Sequence, residues 1–180
     1  MYAETLKLIA SLPERRPSPQ LPERLHALFR RLAETAAPQA RDAIEDEIWR
    51  LWMSHPEDAV AFDLERATRA MTAQDFGVAD QILRGVVAAH PGYAEAWNKR
   101  ATLYYIAGKD AECVPYIHRT LELEPRHYGA LCGFGEILLA RGETDPALFV
   151  FERALRVHPH LDIARAAIER LLTSKTSTLQ

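Results

Sequence analysis

The stretch AEAWNKRATLYYIAGKDAECVPYIHRTLELEPRH, residues 94–127, decides the fold. Its Pro125 lies 34 residues after Pro91 and 34 before Pro159, and each of the three prolines closes an amphipathic segment. A fixed period of this length means stacked helical hairpins, each too small to bury its apolar face alone. The columns of the period have a physical sense. One is small: Ala67, Ala101, Gly135. A second small column opens the second helix: Ala79, Cys113, Ala147. A large apolar column follows four residues later: Leu83, Ile117, Phe151. Small positions let two helix axes approach, and large ones fill the space on the facing helix. Gly108 and Gly142 fall where the first helix of a unit must turn, and the proline then stops the second helix.

This pattern resembles the tetratricopeptide repeat, whose signature runs Trp, small, Tyr, Ala, Phe, Ala, Pro. Trp97, Ala101, Tyr104, Cys113, Ile117, Thr120 and Pro125 supply the middle copy, and Leu131, Gly135, Leu138, Ala147, Phe151, Ala154 and Pro159 the last. The first copy is weaker, with Asp63 and Ala70 at the Trp and Tyr places. The stretches WNKRATLYY (97–105) and EPRHYGAL (124–131) also resemble those of a set of bacterial repeat proteins, members of which often carry an export signal. The resemblance implies an all-α, right-handed superhelical stack of antiparallel hairpins, with three repeats at about 60–93, 94–127 and 128–161 and a capping helix, together spanning 58–173.

Outward from the repeats the pattern loosens. Residues 23–57 read as a degenerate hairpin that caps the amino-terminal end of the stack. Leu25, Leu28, Phe29 and Leu32 form one stripe and Ile44, Ile48, Leu51 and Trp52 the other, with Trp49 and Trp52 as packing residues. Residues 1–22 are a proline-rich arm. Either it is mobile, or a short helix docks through Tyr2, Leu6 and Ile9, since a helix this short needs a surface to form on. Pro115 is expected to kink or delay its helix. Asp145 is placed as a cap ahead of Pro146, and Asp162 as the cap of a final helix covered through Ile163, Ala167 and Leu171. Residues 174–180 are expected to fray.

The composition narrows the function. At 180 residues and 48% hydrophobic content a sizeable core is available. A net charge of −3 leaves no basic excess for phosphate backbones, so nucleic acid is not an expected partner. No apolar run approaches the ~20 residues of a membrane helix, and the first residues do not read as a secretory signal, which points to the cytoplasm unless a signal lies upstream. Cys113 and Cys132 are expected as buried free thiols. His55, His90 and His158 each precede a repeat proline, which spreads them along the stack one repeat apart. No HExxH, CxxC, nucleophile elbow or phosphate loop is present; Asp75-Phe76-Gly77 lacks the partners of a kinase triplet, and Gly133-Phe134-Gly135 follows no strand. The expectation is a non-catalytic chain with no metal and no cofactor.

The candidate site is therefore a groove. In the family the first helix of each hairpin lines a concave surface. The matching places here are Leu64, Thr68 and Met71, then Asn98, Thr102 and Tyr105, then Cys132, Glu136 and Leu139, with Gly129 and Gly133 beside them. Asn98 both donates and accepts, which suits a peptide backbone. Gly129 and Gly133 each cost a helix ~1 kcal/mol relative to Ala; they either open backbone to a ligand or admit a neighbouring side chain. Lys99, Arg126 and His127, with Arg100 close by, are expected as a basic rim unless Arg100 pairs within the stack. The family's clamp for a terminal carboxylate is not matched, because Leu64, Thr68, Gly129 and Gly133 stand beside the single Lys99. The expected function is a protein- or peptide-binding scaffold; the alternative is self-association through the arm or the end surfaces.

Overall fold

The computed structural model describes residues 1–178, with side chains described as far as residue 173. The described residues form ten helices and no strand: α1 (Tyr2–Ser11), α2 (Arg24–Glu34), α3 (Pro38–Met53), α4 (Asp58–Thr72), α5 (Phe76–Ala89), α6 (Ala94–Ile106), α7 (Asp110–Leu123), α8 (Tyr128–Ala140), α9 (Thr144–Val157) and α10 (Asp162–Thr178), with a 3-10 turn at Leu12–Glu14. α4 pairs with α5, α6 with α7 and α8 with α9; α5 then packs on α6, α7 on α8, and α10 on α9. The result is a solenoid of hairpins joined by short connections.

The column chemistry is visible in the packing. A methyl group added at Gly135 would stand 2.7 Å from Cζ of the fully buried Phe151. The missing side chain is what lets α9 approach α8. Each hairpin turn needs one left-handed residue. Gly108 (φ +70°) and Gly142 (φ +74°) provide it in the later repeats, whereas the first repeat puts Gln74 there at φ 59°. A side chain in that conformation costs roughly 1–2 kcal/mol. Gln74→Gly is therefore expected to raise the unfolding free energy by about 0.5–1 kcal/mol, after the entropy that glycine adds to the unfolded chain. Urea unfolding reads this directly.

Several local expectations are corrected. α7 starts at Asp110 and runs to Leu123 with Pro115 in its second turn, so the proline does not delay the helix start but removes one interior backbone donor. α9 begins at Thr144, so Asp145 lies within its first turn, and Asp162 is likewise inside α10. The face of α10 turned to the stack is Ala164, Ala167 and Leu171, which leaves Ile163 54% exposed. The frayed tail expected over 174–180 is helical as far as Thr178; the remaining residues lie outside those described.

The arm is a docked helix. α1 packs against α7 and α9, the second helices of their repeats. Its buried face is Thr5, Leu8, Ile9 and, past its end, Leu12. Tyr2 and Leu6 sit at the margin, so the docking face is rotated from the one expected. Tyr2 stacks on Phe134 at 6.2 Å and lies under the Arg141 guanidinium, and Thr5 Oγ1 hydrogen-bonds His118 Nδ1 at 3.1 Å.

Residues 23–57 do fold into two helices, but α2 and α3 do not extend the stack as its first layer. α3 crosses the ends of the repeats, where each proline loop enters the next hairpin. Tyr93 Oη donates to the Met53 carbonyl at 2.6 Å, Trp52 stacks on His127 at 4.1 Å, and Glu45 meets His158 at 2.9 Å. The physical reason is aromatic. Trp49 and Trp52 find edge and stacking partners in His127 and Tyr128, which a simple end position would not offer. The same crossing brings His55 and His90 to a ring separation of 4.7 Å, against the expectation that they stand a repeat apart.

Candidate peptide-binding groove

A cavity of about 200 Å³ opens between α6 and α8. Asn98, Thr102 and Tyr105 line it from α6, and Gly129 and Gly133 from α8; Ala101, Ile117, Ala130 and Ile137 form an apolar floor. The spacing of the α6 residues, three or four apart, puts them on one helix face. The two glycines differ. A methyl group at Gly129 would come within 3.2 Å of Trp49, so that glycine admits the α3 indole. Nothing lies within 4 Å of the same position at Gly133, whose missing side chain is open space in the cavity wall.

A buried polar cluster adjoins this cavity at Asn98. Glu95 is fully buried in the first turn of α6. His127 Nδ1 accepts the backbone N–H of Ala130, capping α8, so the ring proton sits on Nε2 and is donated to Glu95 at 2.8 Å. Asn98 Nδ2 reaches the two Glu95 oxygens at 3.2 and 3.3 Å, and the Lys99 ammonium stands 3.3 Å away. Burial pushes the Glu95 carboxyl up, but the His127 hydrogen bond, the Lys99 charge and the Asn98 amide outweigh it and hold it below its ordinary value. Neither Glu95 nor its coupling to His127 is marked by the sequence, because the two stand at opposite ends of the 94–127 unit and no column of the period links them.

No protein-family model matches the chain. Over 137 residues, 76% of this chain and 67% of the relative, it is 32% identical to a TPR repeat-containing protein of Rhizobium etli. The chain belongs to the tetratricopeptide-repeat family. As in that family, its helices pair into stacked hairpins, and no helix among the described residues is long and apolar enough to cross a membrane.

The other family groove positions are placed less uniformly. Leu64, Met71 and Cys132 are buried in the stack, and Thr68 returns its hydroxyl to the Leu64 carbonyl at 2.9 Å. Glu136 is half-buried near Arg170, 3.9 Å away, and Leu139 packs against the core. None of these six lines the cavity. Asn98 is buried, with its amide donor engaged by Glu95, so only part of its polarity faces the groove.

The basic rim is corrected outright. His127 is fully buried, Arg126 is paired with the buried Glu124 at 2.8 Å over the Phe29 ring, and Lys99 is held by Glu95 beside Trp49. Arg100 pairs within the stack, with Asp80 at 3.2 Å and the Tyr116 ring at 4.4 Å. Each cation of the expected rim is answered by a carboxylate of the repeats, and Phe29, Trp49 and Trp52 of the α2–α3 hairpin add aromatic faces at Arg126, Lys99 and His127. Both cysteines are buried free thiols, and burial pushes each up to about 12, which keeps them protonated and unreactive at neutral pH.

The one cluster with metal-ligand chemistry among the described residues is His55, Glu57 and His90, whose donor atoms lie within 4.8 Å of one another. His55 Nδ1 already accepts the Glu57 backbone N–H at 3.1 Å, which places the ring proton on Nε2 and leaves neither nitrogen free as a ligand.

Proposed function

We propose that the protein is a non-catalytic scaffold that binds a short extended peptide segment of a partner protein in the cavity between α6 and α8. The observation that carries this reading is the open wall at Gly133. A glycine inside a helix costs about 0.5–1 kcal/mol relative to alanine, and here no neighbouring side chain occupies the space it leaves. The apolar floor suits a single aliphatic or aromatic anchor, while the Thr102 and Tyr105 side chains at the exposed margin serve the peptide backbone. Family membership supports protein interaction in general. Self-association through the arm is less well supported, since the apolar face of α1 is already covered by α7 and α9 of its own chain.

The test is a peptide-display selection on the intact chain, followed by affinities of the enriched peptides for Gly133→Ala, Gly133→Leu and Tyr105→Ala. Gly133→Ala should raise stability by about 0.5–1 kcal/mol and weaken binding mildly. Gly133→Leu should weaken it by about tenfold or more, the scale of losing one well-filled apolar pocket. Enriched peptides indifferent to all three substitutions would sink the proposal.

A further inference from the structure

A second cavity, of about 420 Å³, lies where the arm crosses α9. One wall is the chain just past α1, with Leu12, Arg15 and Pro17; the other is one face of α9, with Arg153, Arg156 and Val157 at helical spacing. Leu131 of α8, His26 of α2 and the Pro125–Arg126 connection complete it, and no acidic side chain lines it.

The charges here are left unanswered in a way that they are nowhere along the corrected rim. Arg126 is neutralised by Glu124. The other three guanidiniums have no carboxylate partner among the described residues. Arg15 Nε reaches only the Ser11 hydroxyl, at 3.3 Å. Arg153 lies over the Phe149 ring at 5.2 Å, and its Nε is buried with no hydrogen-bond acceptor. A buried donor without a partner is costly, and the like charges of Arg15, Arg153 and Arg156 repel one another, Arg15 and Arg156 from exposed positions where water and salt screen part of the repulsion. An anion seated among them offsets the repulsion. Guanidinium forks match the oxygens of a carboxylate or phosphate, while Leu12, Leu131 and Val157 offer a surface that a bare inorganic ion would not use. The volume falls within the roughly 300–1,000 Å³ of small-molecule sites.

We propose that this cavity binds a small organic anion with an apolar body, its carboxylate or phosphate head held by Arg15, Arg153 and Arg156 and its body laid on Leu131 and Val157. The ligand bridges the arm to α9, so its binding fastens α1 to the stack. Affinity and arm order are then linked.

Isothermal titration calorimetry on the full chain tests this with octanoate and octyl phosphate, against inorganic phosphate and octanol. Saturable binding of either amphiphilic anion is expected, and the tighter one identifies the head group. Inorganic phosphate and octanol should each bind about tenfold more weakly or worse, having half of the recognition. The Arg153→Met/Arg156→Gln double variant should lose about tenfold or more. Because charge removal there relieves repulsion, the variant should unfold at the same temperature as the parent or higher. As a measurement on the unaltered chain, the amphiphile should also slow hydrogen exchange over residues 2–12 and bind more weakly as salt rises. Binding of neither amphiphile, binding matched by octanol or by phosphate alone, or affinity unchanged in the double variant would overturn the proposal.

Discussion

Trp52→Ala is expected to lower the unfolding free energy by about 3–5 kcal/mol, the usual cost of emptying a large aromatic site in a core. Trp52 is 1% exposed and among the largest fully buried side chains of the molecule. It stacks on His127 at 4.1 Å with the planes 10° apart, and also meets Phe29, Trp49 and Tyr128. These partners come from α2, α3 and the start of α8, so collapse around the void would have to move the α2–α3 hairpin against the repeats. A domain of this size is stable by about 5–15 kcal/mol in total, and the loss is a large share of it. Equilibrium urea unfolding followed by far-ultraviolet circular dichroism gives the number. A loss under about 1 kcal/mol, the scale of a surface change, would show that the hairpin is not fastened to the stack through this indole.

Glu95→Ala comes next, with an expected cost of about 3 kcal/mol or more. The substitution leaves the His127 Nε2–H, the Asn98 amide and the Lys99 ammonium facing a void, and a buried polar group stripped of its partner bears its full desolvation penalty. Glu95→Gln should cost less, because its amide oxygen still accepts from His127. The pH dependence has a definite sign. The Glu95 carboxyl sits below its reference value of 4.5 in the folded chain. The unfolded chain therefore binds the proton first, and the stabilisation is complete above about pH 4.5 and declines as pH falls through the lowered folded value. The gap between parent and Glu95→Gln in denaturation midpoint should narrow below that pH and stay constant from pH 6 to 8. A gap that widened in acid would contradict the ionised, hydrogen-bonded state assigned to Glu95.

The stack was legible in the sequence because each repeat is a local object. The contact between Gly135 and Phe151 is written as two columns of one period, and the left-handed turn residues Gly108 and Gly142 stand at one place in two units. Gln74 escaped notice at that same place because its conformation is imposed by the hairpin, and no propensity of glutamine announces it. The hairpin of residues 23–57 was legible as two amphipathic helices but not in its position. The partners of Trp49 and Trp52 are His127 and Tyr128, which lie in a connection and a helix start outside the recurring columns of the repeat. The arm showed the same limit. Its apolar spacing predicts a helix with a docking face, whereas the cleft between α7 and α9 that selects Leu8 over Leu6 exists only once the repeats have stacked.

For the groove, Thr102, Tyr105 and Gly133 were reachable by matching the family's places onto the middle and last repeats. The internal use of Asn98, Lys99 and His127 was not, since it depends on Glu95 being shut in by α3. Polar residues at family groove positions looked like ligand contacts when part of them satisfies a buried carboxylate instead. That network ties the first turn of α6 to the cap of α8, the two elements whose facing walls form the cavity.

The most direct measurement is a backbone amide NMR titration of the intact protein with a peptide enriched by display. The account predicts that the largest shift changes fall on residues 98–105 of α6 and 129–137 of α8, with α1, α10 and the outer faces of α5 and α9 unmoved. Changes centred on α1 or α10 with the α6–α8 cavity silent would contradict it.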